Sequence, residues 1–406
     1  MSERLVIVDG VRTPFCRAGT ELAALSAVDL GREAVSAVLT RTGLDPALVD
    51  EVIIGCVSQP ADAANIARVI ALRAGVPESV PAVTVHRNCA SGLEAITTAA
   101  ERLAAGNGSV FIVGGAESMS QVPMLFREQT AQKFAALAKS KSATEKVSAL
   151  SHFRVADFEP RIGLKLGLTD PVSGLNMGET AELLARENGI AREVQDAFAL
   201  RSHELARAAV EKHAGEISPV YLNGKAVTQD NGPRRDTSLE ALAKLRPIFE
   251  KFGSVTAGNS SQVTDGAVAL LVMGEKRAAE LGLQPLGALT AYAYAGCDPA
   301  RMGLGPVFAV EKAAHRSGLT AADADLVEIN EAFAAQVLAV LKRMPVSEEK
   351  LNVNGGAIAL GHPVGATGSR LVLTALKELQ RRGGKRALVT LCVGGGQGGA
   401  LWLERM

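Results

Sequence analysis

Short aliphatic runs alternate with segments of helical period along the first hundred residues. Residues 5–8, 51–54 and 82–86 carry the β-branched, apolar character of strands. Between them, residues 27–40 and 65–74 place apolar side chains three and four apart, as a helix with one buried face requires. This is the βαβ rhythm of a parallel sheet covered by helices, and it predicts an α/β fold. The rhythm returns later in the chain. Gly43-Leu44-Asp45-Pro46, leading into Val52-Ile53, has a partner in Gly318-Leu319-Thr320-Ala321, leading into Val327-Glu328-Ile329. A Gly-rich turn, a long helix and a strand ending in glycines occur over residues 89–115 and again over 361–396. Such self-similarity predicts two stacked halves from a duplicated unit, although any α/β protein repeats this rhythm to some degree.

The region between the halves, roughly residues 121–244, has weak strand signals and several helical patterns. From 127 to 165 it holds eight Lys or Arg against four acids. Such a run suits a solvated helix face, or a basic surface for a ligand's phosphates, a partner subunit or lipid head groups. The expected organisation is an N-terminal half over 1–120 completed by about 247–274, a loop domain over 121–246, and a C-terminal half over 275–406.

Composition narrows the picture. Apolar residues make up 47% of the 406 residues and aromatics only 4%, so the core is aliphatic. Forty-three basic residues balance forty-three acidic ones, which leaves no global field to draw nucleic acid or an anionic membrane. Cys16, Cys56, Cys89, Cys297 and Cys392 are scattered, odd in number and never spaced as paired metal ligands, so they read as thiols in a reducing compartment and no metal is expected. The first residues leave no room for a targeting segment, and no apolar stretch is long enough to span a bilayer, so a cytoplasmic location is expected.

Four constellations carry candidate chemistry. Val85-His86-Arg87-Asn88-Cys89-Ala90-Ser91-Gly92 puts a cysteine where a strand ends and a helix begins. Unpaired N–H groups and the helix dipole favour a thiolate there, while an inert packing cysteine is the plainer alternative. In Gly361-His362-Pro363-Val364-Gly365, a histidine between glycine and proline at a helix start suits acid–base work, or a simple loop hydrogen bond. Cys392-Val393-Gly394-Gly395-Gly396 follows a strand, and its glycines can bring N–H groups close to an oxyanion. A dinucleotide-binding turn is excluded there, because a strand and not a helix follows. Asn330-Glu331-Ala332-Phe333 sets an amide and a carboxylate at a strand's carboxyl end, where ligands gather in open parallel sheets; capping of a helix over 332–342 by Asn330 is the structural alternative.

In this order and at these separations the four blocks resemble the thiolase family over nearly the whole chain. Arg12-Thr13-Pro14-Phe15, Gly114-Gly115-Ala116-Glu117-Ser118-Met119, Met177-Gly178-Glu179-Thr180-Ala181-Glu182 and Ala257-Gly258-Asn259-Ser260-Ser261 agree with it. The resemblance implies a five-layered αβαβα fold of two duplicated halves with an inserted, CoA-binding loop domain. It implies an acyltransferase in which Cys89 takes up the acyl group, His362 activates that thiol and Cys392 serves as acid and base at the acetyl α-carbon. Two oxyanion holes are implied, one from His362 with a water held by Asn330, the other from the N–H groups of Cys89 and Gly394. Ser261 and Met177 would contact substrate or CoA. No cofactor is implied, since coenzyme A is a substrate, and homodimers or homotetramers are expected, with the sheet edge of the first half as contact.

Two departures bear on the reaction's direction. Asn176 precedes Met177-Gly178 where short-chain biosynthetic thiolases commonly carry a histidine. The basic insertion looks similar to that of β-oxidation thiolases that pair with a hydratase/dehydrogenase subunit. The leading expectation is thiolysis of 3-ketoacyl-CoA. Condensation to acetoacetyl-CoA by an acetyl-CoA C-acetyltransferase is the alternative, and a non-catalytic acyl-CoA-binding partner is a third. His86, three residues before Cys89, has no expected role.

Overall fold

A computed structural model describes residues 3–406. The chain divides into two compact units, one taking in the chain up to Gln121 together with Asp170–Met406, the other Val122–Thr169.

The larger unit contains strands β1 (Leu5–Arg12), β2 (Glu51–Gly55), β3 (Ala82–Val85), β4 (Val110–Glu117), β5 (Thr264–Gly274), β6 (Gly287–Gly296), β7 (Leu326–Ile329), β8 (Arg386–Val393) and β9 (Gln397–Arg405). Its principal helices are α1 (Ala27–Thr42), α2 (Ile66–Arg73), α3 (Ser91–Ala104), α4 (Met177–Glu187), α5 (Arg192–Ala208), α6 (Gly305–Ser317), α7 (Ala334–Arg343) and α8 (Val364–Arg382). Local chemistry sets several ends. Ser26 and Asp29 form a reciprocal capping box that starts α1, and Gly43 ends it in the left-handed conformation.

The strands run in the order β7-β8-β9-β6-β1-β5-β4-β2-β3, and β6 and β1 share only two register pairs. On either side of that seam the pattern repeats. In the first half β3, β2 and β4 are parallel, and β5 and then β1 follow antiparallel. In the second, β7 and β8 are parallel, β9 and β6 follow antiparallel, and a parallel bridge from Val327 to Leu351 stands where the first half has its edge strand. This is the duplication expected from the two Gly-rich turns.

Strand alternation builds the layers. Val6 and Val8 of β1 pack with Val35, Val38, Ile66 and Ile70 of α1 and α2, whereas Leu5 and Ile7 join Leu93 and Ile96 of α3 and Leu371 and Leu376 of α8. In β9, Leu401 and Leu403 face this same central layer, while Ala400 and Trp402 turn to α6 and α7. Helix, sheet, helix, sheet, helix is the resulting order. The central pair α3 and α8 approaches very closely: a Cβ on Gly92 would lie 2.7 Å from the backbone N of Ser369. Only glycine fits there.

The smaller unit has a two-stranded pairing of Met124–Leu125 with Arg161–Ile162 and two helices, Glu128–Lys139 and Ala143–Ser151. Phe134 touches Phe126, Phe153 and Phe158, with ring centroids 4.9 to 6.3 Å apart. Two cations of its basic run are paired, Arg127 with Glu159 and Lys133 with Asp157. No helix among the described residues is long and apolar enough to cross a membrane.

Candidate active site

Cys89 sits in the turn between β3 and α3, two residues before the helix begins. The turn is tied down from within: Ser91 Oγ donates to the Asn88 carbonyl at 2.7 Å and accepts from the Arg87 N–H at 2.9 Å. Asn88 adopts a left-handed φ of 42°, and its Nδ2 donates to the Gly394 carbonyl at 2.7 Å. That bond joins the cysteine turn to the glycine hairpin after β8. The backbone N–H groups of Gly394 and of Cys89 itself favour the Cys89 thiolate. They oppose, without overcoming, the effect of burial, which together with the charge of Glu117 pushes the thiol above its usual range. The sequence alone suggested a thiolate favoured by the helix start. Burial outweighs that effect, so the resting group is a thiol that needs a base.

His362 occupies the equivalent turn before α8. Because the first turns of α3 and α8 meet at Gly92, Gly365 and Ser369, the two turns lie at one end of the helix pair. The His362 N–H donates to Thr264 Oγ1 at 3.1 Å, and Nδ1 lies 2.6 Å from Thr367 Oγ1. Nε2 faces Asn330 Nδ2 at 3.4 Å. Burial, reinforced by the Arg370 cation, lowers the imidazole to about 4, so it is neutral at neutral pH. Asn330 does not cap a helix. The helix after it starts at Ala334, with Phe333 at the N-cap and no side-chain cap, and the Ala334 N–H donates to the Asn259 carbonyl. The Asn330 amide is left for His362, and its Oδ1 is buried without a partner.

Cys392 lies near the end of β8, one strand from Asn330: the Asn330 N–H donates to the Thr390 carbonyl at 3.0 Å across the parallel β7–β8 pair. Burial first, and then the charge Cys89 would carry, push the Cys392 thiol well above its ordinary value. Met177, at the start of α4, packs with Cys392 and Phe333, and its Sδ would be 3.5 Å from a Cβ on Gly394. The Ser261 N–H donates to the Ala332 carbonyl at 2.9 Å, which sets Ser261 beside the loop that carries Asn330. Cys89, Gly394, Cys392 and Met177 thus form one group, and His362, Asn330 and Ser261 border it. His86 is exposed, its Nδ1 accepting from the Asn88 N–H at 3.4 Å.

A family model described as the N-terminal domain of thiolase matches residues 5–276, and one described as its C-terminal domain matches 283–405. The chain belongs to the thiolase family. This thiolase is 43% identical to an acetyl-CoA acetyltransferase of Allochromatium vinosum, with both chains covered in full. It is 41% identical to a 3-ketoacyl-CoA thiolase of Serratia proteamaculans, covering 99% of this chain and 97% of that one. Among solved structures it resembles the Bacillus anthracis acetyl-CoA acetyltransferase, with TM-score 0.91, 40% identity and coverage of 100% and 99% of the two chains. The human mitochondrial 3-ketoacyl-CoA thiolase in complex with CoA follows at TM-score 0.90 and 38% identity, covering 100% and 98%. The thiolase is therefore an acyltransferase.

Three groups hold this thiolase's site in ways the sequence does not show, and Glu331 reads there only as a carboxylate at a strand's carboxyl end. Glu117, at the end of β4, accepts from the N–H groups of Ser58 at 2.8 Å, Gly365 at 2.9 Å and Val57 at 3.1 Å, and so ties the first half to the start of α8. It lies within the Gly114 to Met119 segment, but nothing in a linear segment says that a carboxylate reaches across to another half. Glu331 accepts from Ser202 Oγ at 2.6 Å and Asn352 Nδ2 at 2.8 Å and braces the Asn330 loop. Thr367, two residues beyond Gly365 in the chain, is the third. Its spacing of five from His362 is neither helical nor strand-like, because the pair spans the helix start.

Proposed function

We propose that this thiolase cleaves 3-ketoacyl-CoA with coenzyme A, giving acetyl-CoA and a shortened acyl-CoA through an acyl-Cys89 intermediate. The observation that carries the reading is the Asn88 Nδ2 bond to the Gly394 carbonyl at 2.7 Å, which fastens the Cys89 turn to the glycine two residues after Cys392. His362 takes the Cys89 proton on Nε2, and the thiolate attacks the 3-keto carbon. The imidazolium Nε2–H, with a water held by Asn330, then serves as one oxyanion site, and the N–H groups of Cys89 and Gly394 serve as the other. The bond between C2 and C3 breaks, and Cys392 protonates the acetyl-CoA enolate. The resulting Cys392 thiolate deprotonates incoming CoA, whose sulfur displaces the acyl group from Cys89. Carbon–carbon cleavage, acyl transfer between sulfurs and proton transfer make up the reaction, so coenzyme A enters as a substrate and no resident cofactor takes part. Ser261 and Met177 are the residues assigned to substrate and CoA contact.

The cleaving direction and a role in fatty acid β-oxidation are supported by Asn176. Its side chain caps α4, accepting from the Gly178 N–H at 3.0 Å, so no imidazole from this position enters the site. The acetyltransferase names of several relatives favour the second reading, condensation of two acetyl-CoA. Rates on C4 and on long-chain 3-ketoacyl-CoA separate the two, and strict C4 preference would remove the β-oxidation reading. The Cys89→Ala variant tests the nucleophile: retention of near-normal cleavage, or wild-type protein that takes no acyl mass on Cys89, would overturn it.

We also assign a homodimer or homotetramer. β3 is the sheet's edge strand and all four of its residues are only partly buried, which supports pairing with a second copy there. Sedimentation as a monomer would contradict this. A hydratase/dehydrogenase subunit remains the proposed partner, and the five free cysteines support a reducing, cytoplasmic setting.

A further inference from the structure

We propose that Thr367 is a positioning residue for thiol activation: its hydroxyl selects the His362 tautomer that leaves Nε2 free to take the Cys89 proton. The inference rests on the proposed role of His362 and extends it to a residue outside the reacting groups. Thr367 is fully buried in the first turn of α8. Its Oγ1 donates back to the Pro363 carbonyl at 2.9 Å and stands 2.6 Å from His362 Nδ1. A hydroxyl carries one proton. With that proton on the Pro363 carbonyl, Oγ1 meets the ring only as an acceptor, so Nδ1 carries the ring hydrogen.

The opposite side of the ring matches this tautomer. Nε2 faces Asn330 Nδ2, a group that only donates, which calls for a bare lone pair on Nε2. The backbone holds the ring's origin in place, since the His362 N–H is shared between Thr264 Oγ1 at 3.1 Å and the Gln262 carbonyl at 3.3 Å. The sequence supports the arrangement locally. Threonine in a helix divides between two side-chain rotamers, and the bond to the carbonyl four residues back selects one. Proline at 363 fixes the turn from which that carbonyl projects. Once Nε2 has taken the Cys89 proton, both ring nitrogens carry hydrogens. Thr367 still accepts from Nδ1 while Nε2–H turns donor toward the oxyanion. One hydroxyl thus serves both protonation states without moving.

The test uses the full-length protein with Thr367→Val, which keeps the shape and removes the hydroxyl, and Thr367→Ser, which restores it. The proposal expects Thr367→Val to lower kcat by roughly 10²- to 10⁴-fold, the range of a lost general base, with KM changed by no more than about threefold. Thr367→Ser should return to within about fivefold of wild type. Two-bond proton–nitrogen correlation spectra of nitrogen-15 histidine-labelled wild type, assigned with His362→Gln, should show hydrogen on Nδ1 and none on Nε2. Hydrogen on Nε2 in the resting protein overturns the proposal, as does a Thr367→Val enzyme with wild-type kcat. Should Thr367→Val fail to fold, the wild-type spectrum and the serine variant decide. Failure of wild-type protein to form an acyl adduct on Cys89 would instead defeat the proposed function, and the tautomer spectrum would still read Thr367's effect on the ring.

Discussion

Replacing Gly92 with alanine would separate the two helix starts that carry Cys89 and His362. An added Cβ meets the backbone N of Ser369 at 2.7 Å, its Oγ at 2.9 Å and the Gly365 carbonyl at 3.1 Å. Ordinary contact begins near 3.4 Å, so α3 and α8 must part by about 0.7 Å. Neither neighbour can yield alone, because Ser369 Oγ is bonded to the Gly92 carbonyl at 2.9 Å and the Gly365 N–H to Glu117. Overpacking of this kind costs about 1–3 kcal/mol, offset slightly by alanine's better helix propensity. The larger effect is on rate. A misplacement approaching 1 Å costs on the order of 10²-fold, so we expect kcat to fall by roughly 10- to 100-fold. Urea unfolding and initial rates of acetyl-CoA formation measure both quantities. Gly167→Ala is the control, because a Cβ there meets nothing within 4 Å; its stability should stay within about 0.5 kcal/mol of wild type. A Gly92→Ala enzyme with wild-type kcat would refute the claim that this crossing sets the site geometry.

Acidification should destabilise the protein between about pH 6.5 and 4. His362 and His203 are both lowered to about 4 by burial, so in that window the unfolded chain binds more protons and stability falls with pH. His362→Gln should lose less stability over that range, by up to about 3 kcal/mol for so buried a ring; equal losses in urea titrations would contradict the assignment. Arg12→Met should cost about 3–5 kcal/mol, since it strands Glu216 and Asp230, paired to Arg12 at 3.2 and 2.6 Å, in a buried setting. A cost under about 1 kcal/mol would mean those acids find other partners. Glu216, held at about 2, despite its burial, by His213, 3.8 Å away, and by its bond to Arg12, contributes stability above about pH 4.5 that is lost as pH falls toward 2.

Much of the fold was legible because its signals are local. Alternation in β1 and the capping of α1 by Ser26 and Asp29 depend on neighbours a few residues away, and so does the glycine run after Cys392. The duplicated order was readable for the same reason, as two copies of one local rhythm. The candidate site was legible only as separate blocks. Asn330 looked equally able to cap a helix, and the decision lay with where the helix starts: at Ala334, with Phe333 as the N-cap three residues beyond Asn330.

By itself the amino-acid sequence determined the strands, the helices, their repetition and the chemical kinds of the groups placed at the helix starts. Tertiary structure alone decided that Cys89 rests as a thiol and His362 as a free base. Those states follow from burial, from Glu117 beside Cys89, and from Arg370 and Thr367 beside His362, with the Gly394 N–H opposing. Burial and Glu117 act on these groups from elsewhere in the fold, and Arg370 acts on His362 from farther along α8. Protonation depends on distance and solvent exclusion in three dimensions, and a linear pattern of polar and apolar residues records neither.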